Sequence, residues 1–172
     1  MKKKVLRKQK NTKNCFICGL ENGSGLKAEF YELEDGTVAA LAVAHFLHQS
    51  YPQRVHGGVS AALLDETIGR AIIALEPDSW GVTIEISTRY EKPVPYDVPL
   101  IVTGRITKNS KLFYAGEGSI ILPNGEIAVT AKARYIKMEI SKISDFDEKA
   151  EGWKQYISEN DPTEIEIPEK SR

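Results

Sequence analysis

The triplet His56-Gly57-Gly58, with Asp65 seven residues after the second glycine, holds the residue types best suited to chemistry in this sequence. Glycines at a loop-to-helix junction leave backbone N–H groups uncovered, and the helix dipole makes that point attractive to a developing negative charge. This is oxyanion stabilisation without a side chain. The same pair of glycines would also serve a tight turn or close packing. Asp65 favours chemistry, because an ionised carboxylate in a largely apolar helix is costly to bury unless it is partnered or used. Its structural alternative is an internal salt bridge. Glu66 lies about 100° further round the helix and four residues before Arg70, the spacing of an ordinary ion pair, so it reads as the structural acid of the two.

Helix geometry adds a constraint. At 1.5 Å per residue, Gly58 and Asp65 lie on nearly one face but about 10 Å apart along the axis. They cannot easily act on one carbon. A carbonyl bound at the Gly58 amide would meet a carboxylate from a second, antiparallel copy of the helix, which predicts a site straddling a two-fold interface.

The elements around these residues read as follows. Leu64, Ile68, Ile72 and Leu75 recur at spacings of four and three, with Val59, Ala62 and Leu63 widening the stripe, so Gly57–Leu75 is a helix buried on most sides. Before it, Ala28–Leu33 and Val38–Ala44 flank the Asp35-Gly36 turn and should pair as a hairpin. After Pro77 and Gly81, strands are predicted at Val82–Tyr90, Leu100–Thr107, Leu112–Leu122 and Glu126–Met138, joined by short turn-forming links as an antiparallel meander. About six strands and one long apolar helix make an α+β fold, a curved antiparallel sheet wrapped around that helix.

The flanks differ in charge. Residues 1–14 carry seven Lys or Arg and no acid, the composition of a basic flexible arm. Residues 15–140 hold the domain. Residues 141–172 form an acidic extension, with Trp153, Tyr156 and Ile157 at helical spacing and a frayed end. The full chain of 172 residues has 23 Lys+Arg against 24 Asp+Glu, a net charge of −1 that offers no bulk attraction to nucleic acid or membrane. No run of about 18 apolar residues could span a bilayer. The basic start lacks an apolar signal stretch, so the expectation is a cytoplasmic protein with its two cysteines reduced. Cys15-x-x-Cys18 is half a zinc site at most, which His45 and His48 would have to complete, or a redox pair lacking its usual strand-to-helix context. The expectation is therefore two structural thiols, no metal and no cofactor.

The segment HGGVSAALLDETIG, preceded by His48, Tyr51 and Pro52 and followed by Gly81-Val82-Thr83 and Tyr90-Glu91-Lys92-Pro93, resembles the hotdog-fold acyl-CoA thioesterases of the phenylacetate-degradation, or PaaI-like, group. Cys15-Phe16-Ile17-Cys18-Gly19 with Gly25-Leu26 resembles a branch of that group. The resemblance implies a hotdog fold, and hydrolysis of an acyl-CoA to acid and coenzyme A. It places the carbonyl-polarising amide on Gly58, the nucleophile or general base on Asp65, a water-holding hydroxyl on Thr83, and His56 near the thioester, with Gly57 beside them. Many members have Asn six positions and Gly three positions before the motif histidine, where this chain has Ser50 and Gln53. Ser50 can still make one hydrogen bond to substrate. Arg89 and Lys92 are candidates for the phosphates of coenzyme A. The implied partners are an acyl-CoA and a second copy of the chain. Two other readings use the same residues: a hydratase or dehydratase of this fold, moving protons through His56 and an acid, and an acyl-CoA sensor that binds without cleaving. An apolar acyl group, medium or aromatic, is expected.

Overall fold

Apolar residues at helical spacing, and His56 capping the first turn, start helix α1 at Gly57, and it runs to Arg70. It continues as one tighter turn, Ala71–Ala74, and so stops just short of Leu75. The computed structural model describes residues 1–168. Residues 169–172, placed in the frayed end by the sequence, lie outside them. Eight strands form among the described residues: β1 Lys2–Lys8, β2 Glu29–Leu33, β3 Val38–Val43, β4 Trp80–Tyr90, β5 Pro99–Asn109, β6 Phe113–Ile121, β7 Ile127–Met138 and β8 Glu164–Glu166. They make one antiparallel sheet in the order β4-β7-β6-β5-β3-β2-β1-β8. Helix α1 touches β3, β4, β5, β6 and β7, so the sheet curls around it. Leu63, Leu64 and Ile68 fill the space between, each at most 2% exposed. Burial of side chains this size contributes about 1.5–3 kcal/mol apiece.

Three expectations are corrected. The four strands after the helix do not form a simple meander: β5, β6 and β7 do, but β4 pairs with β7. Both edges of β5 are already taken, by β3 and β6, which leaves the outer edge of β7 for β4. The basic N-terminus is a strand and not a free arm. Its cations meet the chain's own acids: Arg7 binds Glu32 at 2.7 Å, Lys8 binds Glu29 and Asp161 at 2.6 Å each, and Lys3 binds Asp35. The acidic extension supplies the other side of that strand, since β8 pairs with β1. No helix forms around Trp153; among the described residues the extension's helical part is the short α2, Ile140–Ile143, and Trp153 packs its ring on Trp80 at 5.3 Å.

Helix and sheet approach closely at Gly104 of β5, where an added Cβ would lie 2.5 Å from the carbonyl oxygen of Thr67 in α1. That neighbour is backbone and cannot rotate away. Gly104→Ala should therefore force the helix off the sheet and cost about 1–3 kcal/mol, the usual range for overpacking a filled core. A urea denaturation midpoint equal to that of the wild type would contradict this seating of α1.

Candidate active site

Asp65 projects from the middle of α1 toward the start of β4 and the end of β7. The Thr83 hydroxyl donates to both carboxylate oxygens, at 2.9 and 3.1 Å. The Tyr135 hydroxyl donates to Oδ1 at 3.0 Å and to the Asp65 carbonyl at 2.9 Å. A bulge in β4 between Thr83 and Glu85 turns Thr83 toward the helix. Tyr135 is clamped from behind by Tyr114, stacked at 4.6 Å, whose own hydroxyl donates to the Gly69 carbonyl at 3.0 Å. Burial pushes the Asp65 carboxyl above the ordinary carboxylate range; the bonds from Thr83 and Tyr135 work against that, and the neighbouring Glu66 charge adds to it. Glu66 is the structural acid, bound to Arg70 Nε at 2.7 Å.

At the helix N-terminus the imidazole of His56 is the cap: its Nδ1 accepts the Gly58 N–H at 2.9 Å. This corrects the role expected of Gly58, whose amide is already occupied by the residue expected beside it. Accepting at Nδ1 places the neutral imidazole's proton on Nε2. The Gly57 N–H, one position earlier, has no acceptor among the described residues. Tyr90, the last residue of β4, donates its hydroxyl to the Gly57 carbonyl at 2.8 Å and so brings the end of β4 to the glycines. The loop before His56 is closed by Ser50 N–H to Arg54 O at 2.9 Å, with Gln53 at φ 64°, a left-handed conformation that glycine adopts more easily. Ser50 lies in this exposed loop, away from Asp65 on the chain's own helix. Arg89 pairs with Glu91 at 3.2 Å and Lys92 with Glu126, both at the surface. His45 and His48 do not approach the cysteines as ligands: His45 Nδ1 lies 2.9 Å from Asp97 Oδ1, and His48 Nε2 2.9 Å from the Ser24 carbonyl.

Sequence reasoning misses Tyr135, and it reaches Tyr90 only as part of the motif Tyr90-Glu91-Lys92-Pro93 without a role. The available signal was alternation in β7, which places Tyr135 on the same inward face as Ala131 and Ala133.

A cavity of about 210 Å³ opens beside Asp65 and Thr83, walled by Trp80, Tyr114, Tyr135, Phe146 and Trp153. Arg70 also borders it, but its guanidinium is committed to Glu66, to the Lys10 carbonyl at 2.8 Å and to the face of Phe30 at 4.2 Å. Ile68 and Ile72 do not reach this cavity and lie in the core, at most 1% exposed. Two larger hollows, of about 660 and 800 Å³, follow β1 and the outer face of the sheet. Neither has a carboxylate held as Asp65 is, so size does not mark the site.

Comparison with known proteins bears on the fold. The family model described as thioesterase superfamily matches residues 53–114, the stretch from the loop before His56 through Tyr114. A crystal structure of a thioesterase superfamily protein is 31% identical, with a TM-score of 0.65, over 71% of this chain and 59% of that one. The chain is similar in sequence and fold to the thioesterase superfamily. It spans about 59% of the length of that relative. Two more distant structures share the fold. A hypothetical thioesterase from Streptococcus pneumoniae, solved with coenzyme A, is 22% identical with a TM-score of 0.59, over 65% of this chain and 86% of that one. The E. coli PaaI protein of the phenylacetic acid degradation operon is 13% identical with a TM-score of 0.60, over 66% and 80%. No curated protein matches the chain. The antiparallel sheet around α1 is thus the hotdog fold, with eight strands among the described residues where about six were expected.

Proposed function

We propose that this chain hydrolyses acyl-CoA thioesters, with Asp65 as general base. The observation that carries this is the Asp65 carboxylate at the mouth of an aromatic cavity, held by Thr83 and Tyr135. Oδ1 already takes two donors, so Oδ2 is the freer oxygen. It removes a proton from a water that attacks the carbonyl carbon. The oxyanion forms at the uncovered Gly57 N–H, assisted by the His56 Nε2–H. Collapse breaks the C–S bond, and the coenzyme A thiolate leaves with the proton that Asp65 took from the water, which returns the base to its ionised form. A base with a raised pKa suits this step better than a nucleophile that must abandon two hydrogen bonds.

Gly57 and Asp65 of one chain are about 12 Å apart along α1, so the reacting carbonyl is shared between two copies. Strand β4 offers the place. It ends the sheet with an outer edge unpaired among the described residues, and Ile84 and Tyr90 on it are about half exposed. Thr83 lies near its start and Tyr90 at its end. Antiparallel pairing of two β4 strands would lay Thr83 and Asp65 of each against Tyr90 and Gly57 of the other. Arg89 and Lys92 flank Tyr90, and their exposed ion pairs open at little cost to receive phosphates. Coenzyme A in the Streptococcus pneumoniae relative supports this ligand class.

The cavity walls favour an apolar, aromatic or medium-length acyl group. Release of free thiol from a panel of acyl-CoAs should rank phenylacetyl- and medium-chain esters above malonyl- and succinyl-CoA. A dicarboxylic ester as best substrate would require Arg70 to leave Glu66 and would contradict this choice.

The titration of Asp65 gives a further check. The base works only when ionised, so kcat should fall on the acid side with a midpoint above the ordinary Asp value of about 3.9. Thr83→Ala removes a donor that favours the ionised form, so the midpoint should move higher still. A limb that stays in place while the rate falls would show that Asp65 is not the titrating group.

A further inference from the structure

We propose that Cys15, Cys18 and Glu66 form a site for a borderline-soft divalent cation, zinc being the best match, which ties the N-terminal turn to helix α1. The hydrolase reading does not require it. Cys15-Phe16-Ile17-Cys18-Gly19 folds as a tight knuckle in which the Ile17 and Cys18 N–H groups both donate to Cys15 Sγ, at 3.3 Å each. Gly19 closes it by donating to the Cys15 carbonyl at 2.8 Å, and a Cβ there would lie 2.6 Å from the Cys15 nitrogen. Two amide donors aimed at one sulfur stabilise negative charge on it, as metal-bound thiolates require. Cys18 is 2% exposed, with the Thr12 hydroxyl 3.5 Å from its sulfur.

The third group arrives from the helix. The two sulfurs and a Glu66 carboxylate oxygen lie within 4.8 Å of one another. Around tetrahedral zinc, with Zn–S about 2.3 Å and Zn–O about 2.0–2.2 Å, ligand atoms sit about 3.5–3.8 Å apart, which small side-chain rotations supply. Arg70 holds Glu66 Oε1 at 2.7 Å and leaves the other oxygen available to a cation. Such an outer partner is what orients a carboxylate ligand. Charge agrees as well. Two thiolates and Glu66 against the buried Arg70 leave a net −2, which a divalent ion neutralises while both thiol protons are released. Cys15, Cys18 and Glu66 line the same cavity as Asp65, from which water could complete a tetrahedron. His45 and His48, the partners that sequence spacing suggests, are not needed.

The full chain, expressed with zinc in the medium and purified reduced without chelator, should hold about one zinc per chain by emission spectroscopy. Replacing zinc with cobalt(II) should produce an intense thiolate-to-cobalt charge-transfer band with tetrahedral visible bands. The double variant Cys15→Ser/Cys18→Ser should lose both signals, and Glu66→Gln, which keeps the shape of the ligand but not its charge, should bind zinc more weakly than the wild type. The wild type alone suffices to overturn the proposal. Zinc well below about 0.1 per chain, with no charge-transfer band while both thiols titrate as reduced, would do so. Zinc retained by the double variant would place the ion elsewhere, and a Cys15–Cys18 disulfide in freshly prepared protein would make the pair a redox site; either result overturns it too.

Discussion

Asp65→Asn should lower kcat on an acyl-CoA by at least about 10²-fold, the usual range for loss of a positioned general base, while the fold survives. The amide keeps an oxygen for Thr83 and Tyr135, which both reach Oδ1 in the wild type, so the geometry around it is preserved and only the basicity is lost. Stability should move the other way. The folded-state pKa of Asp65 is raised, so its contribution to stability is full below the unfolded-state pKa and is lost as pH climbs through the folded value. At neutral pH the carboxylate is therefore a cost to the fold, and a neutral isostere relieves it. Thermal unfolding at pH 7 should show a melting temperature no lower than that of the wild type, the pattern of a site that gives up stability for activity. Glu66→Gln should affect turnover far less, since Glu66 faces Arg70 and not the reacting group. Retained turnover in Asp65→Asn would remove the basis for the mechanism.

A mixture of two crippled variants should recover activity that neither has alone. His56→Ala removes the cap and the Nε2–H from the glycine end, and Asp65→Asn removes the base from the other. If each site takes His56 and Gly57 from one chain and Asp65 and Thr83 from its partner, a hybrid dimer has one intact site and one doubly damaged site. After free exchange about half the dimers are hybrids, so about a quarter of all sites are intact. Sedimentation should show dimers or larger assemblies in both parents and in the mixture. Activity of the mixture equal to the mean of the parents would place both halves of the site in one chain, where α1 holds them about 12 Å apart.

How far these residues could be read without the structure depended on the range of the interactions. The glycine start of α1, the apolar stripe through Leu64 and Ile68, and Asp65 within it are local patterns, and they were legible. Which glycine amide is free was not, because it turns on whether the His56 ring folds back onto its own helix, and consecutive glycines look alike in sequence. Tyr135 lies 70 residues from Asp65 and reaches it only through the register of β7 against β4. The basic N-terminus reads as a solvated arm until Asp161 and β8 bring the compensating acids from the opposite end of the chain. The β4–β7 pairing follows from which strand edges remain open, a property of the assembled sheet and of no segment within it.

Steady-state release of free thiol from phenylacetyl-CoA by the wild-type chain, with binding of the same ester measured by calorimetry, decides whether this site cleaves a thioester. Turnover that is saturable in the ester and lost in Asp65→Asn, while binding persists in both proteins, is the predicted result. Binding with no thiol released by the wild type, across aromatic and medium-chain esters alike, would contradict the hydrolase and leave an acyl-CoA-binding protein in its place.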